Sequence, residues 1–170
     1  MISNVLKGGD IIQVAVTLPR FTQLVVVKSE IKKPSDLAGK RIGMSRLGKV
    51  THFALQSALD AYGIKGVSIP QMGGQPEEVT GLIRGVIDGA VLSPPYNFQL
   101  KRQGFNEVVT QNDLQKLGAE FITNGIAARR GAVEKDKEPL LRLIKSVAEA
   151  TKIIIIDRAY TRKSSASGCQ

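Results

Sequence analysis

The 170-residue sequence has no tryptophan, one cysteine and one histidine, and each scarcity removes a class of chemistry. Cys169 sits in the polar tail SSASGCQ, so no intrachain disulfide and no cysteine zinc cluster can form. With His52 as the sole histidine, no metal site is expected, and no motif calls for a cofactor. Aromatic residues make up 5% of the chain, too few for a platform on which single-stranded nucleic acid would stack. The longest apolar runs, such as IIII at 153–156, fall far short of the roughly 20 residues a membrane-spanning helix needs. MISNVLKGGD has neither the basic start and apolar run nor the small-residue cleavage site of an export signal, so the chain is expected to be cytoplasmic if complete as written.

What is present suits a globular protein. A hydrophobic content of 42% over this length supports one good core or two small lobes. A formal charge of +9 favours anionic partners: small acids, nucleic acid or a membrane surface. The basic residues are scattered and the aromatics few, which argues against nucleic acid.

Along the chain, IIQVAVT (11–17) and FTQLVVVK (21–28) are β-branched runs expected as strands. SEIKKPSDLAGK reads as a connector with one helical turn capped by Ser35. RIGMS (41–45) is a strand candidate, and Leu55, Ala58, Leu59 and Tyr62 recur at helical spacing up to Gly63. VSIPQM (67–72) is the next expected strand, followed by a helix opened by Pro76, Glu77 and Glu78 with a buried stripe of Val79, Leu82, Ile83, Val86 and Ile87. GAVLS (89–93), a short helix over 95–103, NEVVT (106–110) and a helical turn capped by Asn112 continue the alternation. FITNGIAAR (121–129) reads as a strand, and Pro139 starts an amphipathic helix through Leu140, Leu143, Ile144, Val147 and Ala148. Whether IIII extends that helix or forms a strand stays open on periodicity alone. Repeated strand-helix units between 41 and 110 predict a parallel or mostly parallel sheet with helices on both faces, whose ligands sit beyond the C-terminal strand ends.

GMSRLGKV, within residues 33–55, misses the phosphate-loop pattern GxxxxGK[ST] by one position. Val50 stands where a magnesium-ligating hydroxyl belongs, and Thr51 comes one residue late, about 100° around a helix. IIIID (153–157) has the composition of a magnesium-linked strand but lies near the chain end. Two readings remain: Gly43 and Gly48 simply form a tight turn, or Ser45, Thr51 and the amides of residues 48–51 form a magnesium-free anion site.

KKPSDLAGKRIGMSRLGKVTHFALQSALDAYGIK, GLIRGVIDGAVLSPP and LLRLIKSVAEATK, in that order, resemble the solute-binding components of ABC importers of the nitrate, sulfonate and taurine type, a group that includes the NMT1/THI5-like domain. The resemblance implies an α/β fold of the type II periplasmic-binding kind, with one complete lobe and part of a second. Residues 1–30 would be partial lobe one and the first crossing strand, 31–120 lobe two, and 121–170 the return crossing strand, a lobe-one helix and a polar tail. It implies truncation at both ends and a periplasmic location. The expected function is capture of a small anionic or polar solute for an importer permease, with no catalysis; the alternatives are an effector-binding regulatory domain or a relative of the thiamine-pyrimidine synthases.

By the same resemblance Ser45, Gly48, Lys49 and Thr51 look toward the ligand cleft, as do Gly73, Gly74 and Gln75, then Ser93 and Tyr96, and Asn124 on the return crossing. Tyr96 reads equally as a surface aromatic, Asn124 as a turn residue and Gly73-Gly74 as chain reversal. Arg20 and Arg46 could pair with a carboxylate or sulfonate, or be merely solvated. His52 has no suggested acid-base partner and reads as a helix residue. An incomplete lobe leaves apolar surface exposed, so a homo-oligomer is expected.

Overall fold

The computed structural model describes residues 8–18, 21–116, 124–157, 159, 160 and 162. The chain divides into two compact units, one of residues 18–123 and one combining 1–17 with 124–170.

The first unit is built on a four-stranded sheet of β2 (Leu24–Val27), β3 (Ile42–Gly43), β4 (Gly89–Leu92) and β5 (Asn106–Val109), in the order β3-β4-β2-β5. β3 runs parallel to β4, while β2 lies antiparallel to both β4 and β5. The sheet is therefore mixed, which corrects the mostly parallel expectation. β3, β4 and β5 do share one direction, but β2, entering from an earlier part of the chain, separates β4 from β5.

Strand residues alternate faces, and the core follows that alternation. Val25, Val27, Val91 and Val109 cluster with Leu55 and Leu59 of α1 (Val50–Ala61) and Leu114 of α4 (Gln111–Lys116). Leu24, Val26, Ala90 and Leu92 cluster with Val79 and Leu82 of α2 (Gln75–Ile83) and Leu100 of α3 (Tyr96–Arg102). Helices thus cover both faces, as expected.

Four local expectations need correction. VSIPQM forms no strand: Ser68 and Gln71 make isolated parallel bridges to Arg41 and Met44, because Pro70 between them has no amide to donate. The α2 stripe stops early. Gly85, at φ +71°, lets the Val86 amide donate back to the Gly81 carbonyl at 2.9 Å, a Schellman closure that leaves Val86 exposed; Val79, Leu82 and Ile87 of the stripe are buried, and Ile83 is not. The turn at Pro34–Leu37 is held by Asp36, whose Oδ2 accepts the Lys32 and Lys33 amides, and Ser35 does not cap it. α4 is opened by Thr110, which exchanges hydrogen bonds with Asp113, and Asn112 is not its cap.

The second unit contains β1 (Ile11–Leu18) paired with β6 (Asn124–Arg129), then α5 (Arg130–Lys135) and α6 (Glu138–Ile156). α6 runs through all four consecutive isoleucines, which decides for helix and removes the strand a magnesium site would use. No residue of α6 is fully buried. An open apolar groove of about 450 Å³ lies between β6, α5 and α6, lined by Ile126, Ala128, Val133, Leu140 and Leu143 among others. The expected strand residues 121–123 lie outside the described residues, as does Arg20.

Candidate functional site

The loops that follow β3, the bridged segment 68–71 and β4 are tied into one network. After β3, Ser45 Oγ and Thr51 Oγ1 share a hydrogen bond of 2.7 Å, which staples the loop to the first turn of α1. The Ser45 carbonyl accepts the Gly73 amide at 3.0 Å, joining this loop to the next. Gln75, the first residue of α2, then reaches the loop after β4: its Oε1 accepts the Ser93 amide at 3.0 Å, and its Nε2 donates to Ser93 Oγ at 2.8 Å. Hydrogen bonds therefore join Thr51, Ser45 and Gly73 in one group and Gln75 and Ser93 in another, and the chain through Gly74 connects the two groups of residues that the sequence singles out. All lie on the edge where β3 and β4 end.

The electrostatics of this edge come from the backbone. No side chain caps α1 at Lys49 or α2 at Gly74, so the positive ends of two aligned dipole arrays point out of the sheet edge. Gly48 at φ +74° and Gly73 at φ +100° give their loops the left-handed turns that bring the chain into these helices. Lys49 and Arg46 are exposed beside the first loop. At α1 the arrangement offers amides, hydroxyls and cationic side chains, a donor set suited to an oxyanion, whereas at α2 the first-turn carboxylate of Glu77 lies beside Gly74 and opposes one.

Thr51 and Tyr96 are engaged in packing and in holding loops. Thr51 is 3% exposed and its hydroxyl is spent on Ser45, so it supports the loop from beneath. Tyr96 is half-buried and packs against the core beneath α2 and α3, while its amide donates to the Ser93 carbonyl at 3.1 Å. Asn124 is exposed and belongs to the other unit, as the first residue of β6.

Two contributors escaped sequence reading. Gln71 Oε1 accepts the Leu47 amide at 3.0 Å, and His52 Nδ1 accepts the Gly48 amide at 3.5 Å. The second requires the proton on Nε2. A histidine four residues after a loop glycine was a local clue; Gln71, distant in sequence, offered none.

At the opposite end of β4 sits a charge cluster. Asp88 accepts Lys28 Nζ at 2.8 Å and the Arg41 Nε, Nη2 and amide groups at 3.0, 2.9 and 3.1 Å. These donors, Arg41 foremost, hold its carboxyl well below the usual carboxylate range. The cluster fastens the exit of β2 and the entry of β3 to β4, far from the candidate site.

The mixed sheet and its two helical layers are those of one lobe of a type II periplasmic-binding-protein-like fold. The chain belongs to the NMT1/THI5-like family, whose model matches residues 1–157. It is 32% identical over 131 residues to the taurine-binding periplasmic protein of Escherichia coli (strain K12), an alignment covering 76% of this chain and 40% of that protein. Its structure is similar to that of the periplasmic aliphatic sulphonate binding protein SsuA from Escherichia coli, with a TM-score of 0.78 at 21% identity over 96% of this chain and 55% of the other. The alkanesulfonate-binding protein SsuA from Xanthomonas axonopodis pv. citri, bound to MOPS, gives a TM-score of 0.75 at 19% identity, covering 95% and 56%. The chain thus spans 40% of the curated relative and little more than half of each solved structure. These relatives are named as binding proteins, not as enzymes.

Proposed function

We propose that this chain carries the second lobe of a solute-binding component of an ABC importer and holds a small sulfonate or related organic anion without transforming it. The observation that carries this reading is the joined edge of Ser45, Gly73, Gln75 and Ser93 beneath two helix starts that no side chain caps. Such an edge replaces the hydration of an anion with fixed donors. The taurine-binding relative supports a sulfonate as the class of anion, since its alignment covers 76% of this chain.

In this reading lobe two is the unit of residues 18–123, which takes in β2 besides the expected 31–120, and residues 1–17 with 124–170 belong to lobe one. Gly48, Lys49 and Gly74 present the donors, Ser45, Gln75 and Ser93 contact the anion directly, and Thr51 and Tyr96 hold the loops. In this reading the partner is an importer permease and the location is the periplasm, the compartment in the names of the taurine-binding relative and the Escherichia coli sulphonate-binding protein.

The test is calorimetric titration with taurine, methanesulfonate, nitrate and a neutral control of similar size. Saturable binding of a sulfonate is expected, weakened about tenfold by Lys49→Ala, in line with the loss of one charge-assisted hydrogen bond. Heat indistinguishable from the neutral control for every anion would overturn the reading.

A further inference from the structure

α2 carries a carboxyl group where its buried stripe calls for an apolar side chain. Glu78 is 0% exposed, and neither carboxyl oxygen has a hydrogen-bond partner among the described residues. A buried ionised carboxylate without partners is among the costliest arrangements a fold can hold, whereas the neutral acid costs far less. Glu78 lies three residues after Gln75 and therefore on the same side of the helix. Gln75 is the residue that grips both the amide and the hydroxyl of Ser93.

Among the described residues no compensating charge is seen to act on Glu78. α2 packs against β4, which has no titratable side chain, and against α3. Of the titratable groups on α3, Lys101 pairs with Glu107 of β5, Arg102 is exposed, and the Tyr96 ring packs into the core. Asn97, also on α3, donates to Glu107 Oε1 at 2.9 Å, and its own buried Oδ1 lacks a partner. The charge that acts on Glu78 comes from Glu77, its neighbour, and has the same sign.

We propose that Glu78 is a protonation-dependent latch: as the neutral acid it lets α2 seat against β4 and α3, and on ionising it drives the start of α2 outward and opens the Gln75–Ser93 corner. As a device for controlling ligand capture this rests on the functional reading above, but the latch itself is a property of the fold. Burial, reinforced by Glu77, pushes the Glu78 carboxyl up to about 8. The corner is therefore closed at neutral and acidic pH and loosens in alkaline solution.

Hydrogen exchange at the Ser93 amide reads the latch without any ligand. Protection in the wild-type chain is expected to match that of Glu78→Gln at pH 6 and to fall about tenfold below it at pH 9, as for a local opening. Equal protection at both pH values would overturn the proposal. Should Glu78→Gln fail to fold, Glu78→Leu serves as the non-ionising reference. In the wild-type chain, a Glu78 carboxyl carbon resonance titrating in the ordinary range below pH 5 would overturn it as well. Taurine titration at pH 6 and pH 9 separates the two readings: loss of binding at pH 9 in wild type but not in Glu78→Gln extends the latch to capture. Absence of binding at pH 6 refutes the site while the exchange result still decides the latch.

Discussion

Asp88 joins three stretches of chain at one point, and its removal shows what a single side chain contributes. Asp88→Asn keeps the size but withdraws the charge that Arg41 and Lys28 surround. It is expected to destabilise the unit by about 1–3 kcal/mol in chemical denaturation, the range for hydrogen bonds to charged groups. The sign of the pH dependence follows from the depressed carboxyl. Its contribution is full above the unfolded value of 3.8 and is lost as pH falls below it toward the folded value. Wild type should lose stability below about pH 4 more steeply than Asp88→Asn; parallel acid limbs would show that the cluster contributes nothing. Two glycines make a second contrast. A Cβ on Gly43 would meet Ile87 Cδ1, the end of a flexible side chain, at 2.7 Å and Met72 Cγ, part of an unbranched one, at 3.0 Å. One on Gly89 would meet Val27 Cγ1 at 2.7 Å, Ile42 Cδ1 at 2.8 Å and the Val26 carbonyl at 3.1 Å, between paired strands that cannot part. Gly89→Ala is expected to cost about 1–3 kcal/mol and Gly43→Ala less, with the order of their thermal midpoints as the check.

At the scale of elements, α1 and α2 show how far local sequence decides a helix. Both end in a glycine at positive φ followed by an apolar residue, Gly63-Ile64 and Gly85-Val86. In α1 the Ile64 amide returns to the Leu59 carbonyl at 2.8 Å and the Ile64 side chain joins the core, so the stop signal and the burial pattern agree. In α2 the same closure turns Val86 to solvent, against its hydropathy. Periodicity alone carries the stripe past Gly85, because it registers which residues are apolar and not where the backbone reverses. The extent of α6 needed the structure for a related reason: β-branched isoleucines suit a strand, yet a helix already propagating through Ala148 and Thr151 extends at one hydrogen bond per residue without a new nucleus.

For the molecule as a whole, the second unit leaves apolar surface open. Leu143 is 49% exposed and Ile154 is 56% exposed on α6, and a two-stranded sheet is marginal by itself. We infer self-association through this face. Sedimentation velocity is expected to show a concentration-dependent oligomer that the double substitution Leu143→Lys with Ile154→Lys shifts to monomer. A monomer at every concentration would refute it. Among the described residues no helix is long and apolar enough to cross a membrane.

The sequence by itself determined the alternation of strands and helices, the glycine turns before and after them, and the loop positions of Ser45, Gly73, Gln75 and Ser93, since these rest on periodicity and φ preferences within a few residues. It also carried the family, through phrases whose order survives without any three-dimensional information. Only the tertiary structure decided that β2 enters between β4 and β5, that Gln75 clasps Ser93, that Thr51 supports its loop and that Asp88 binds Lys28 across 60 positions. The burial of Glu78 belongs to the same group, for the sequence places it beside Glu77 in what looks like an exposed first turn. Those outcomes depend on which distant segments pack together, and local pattern carries no record of that choice.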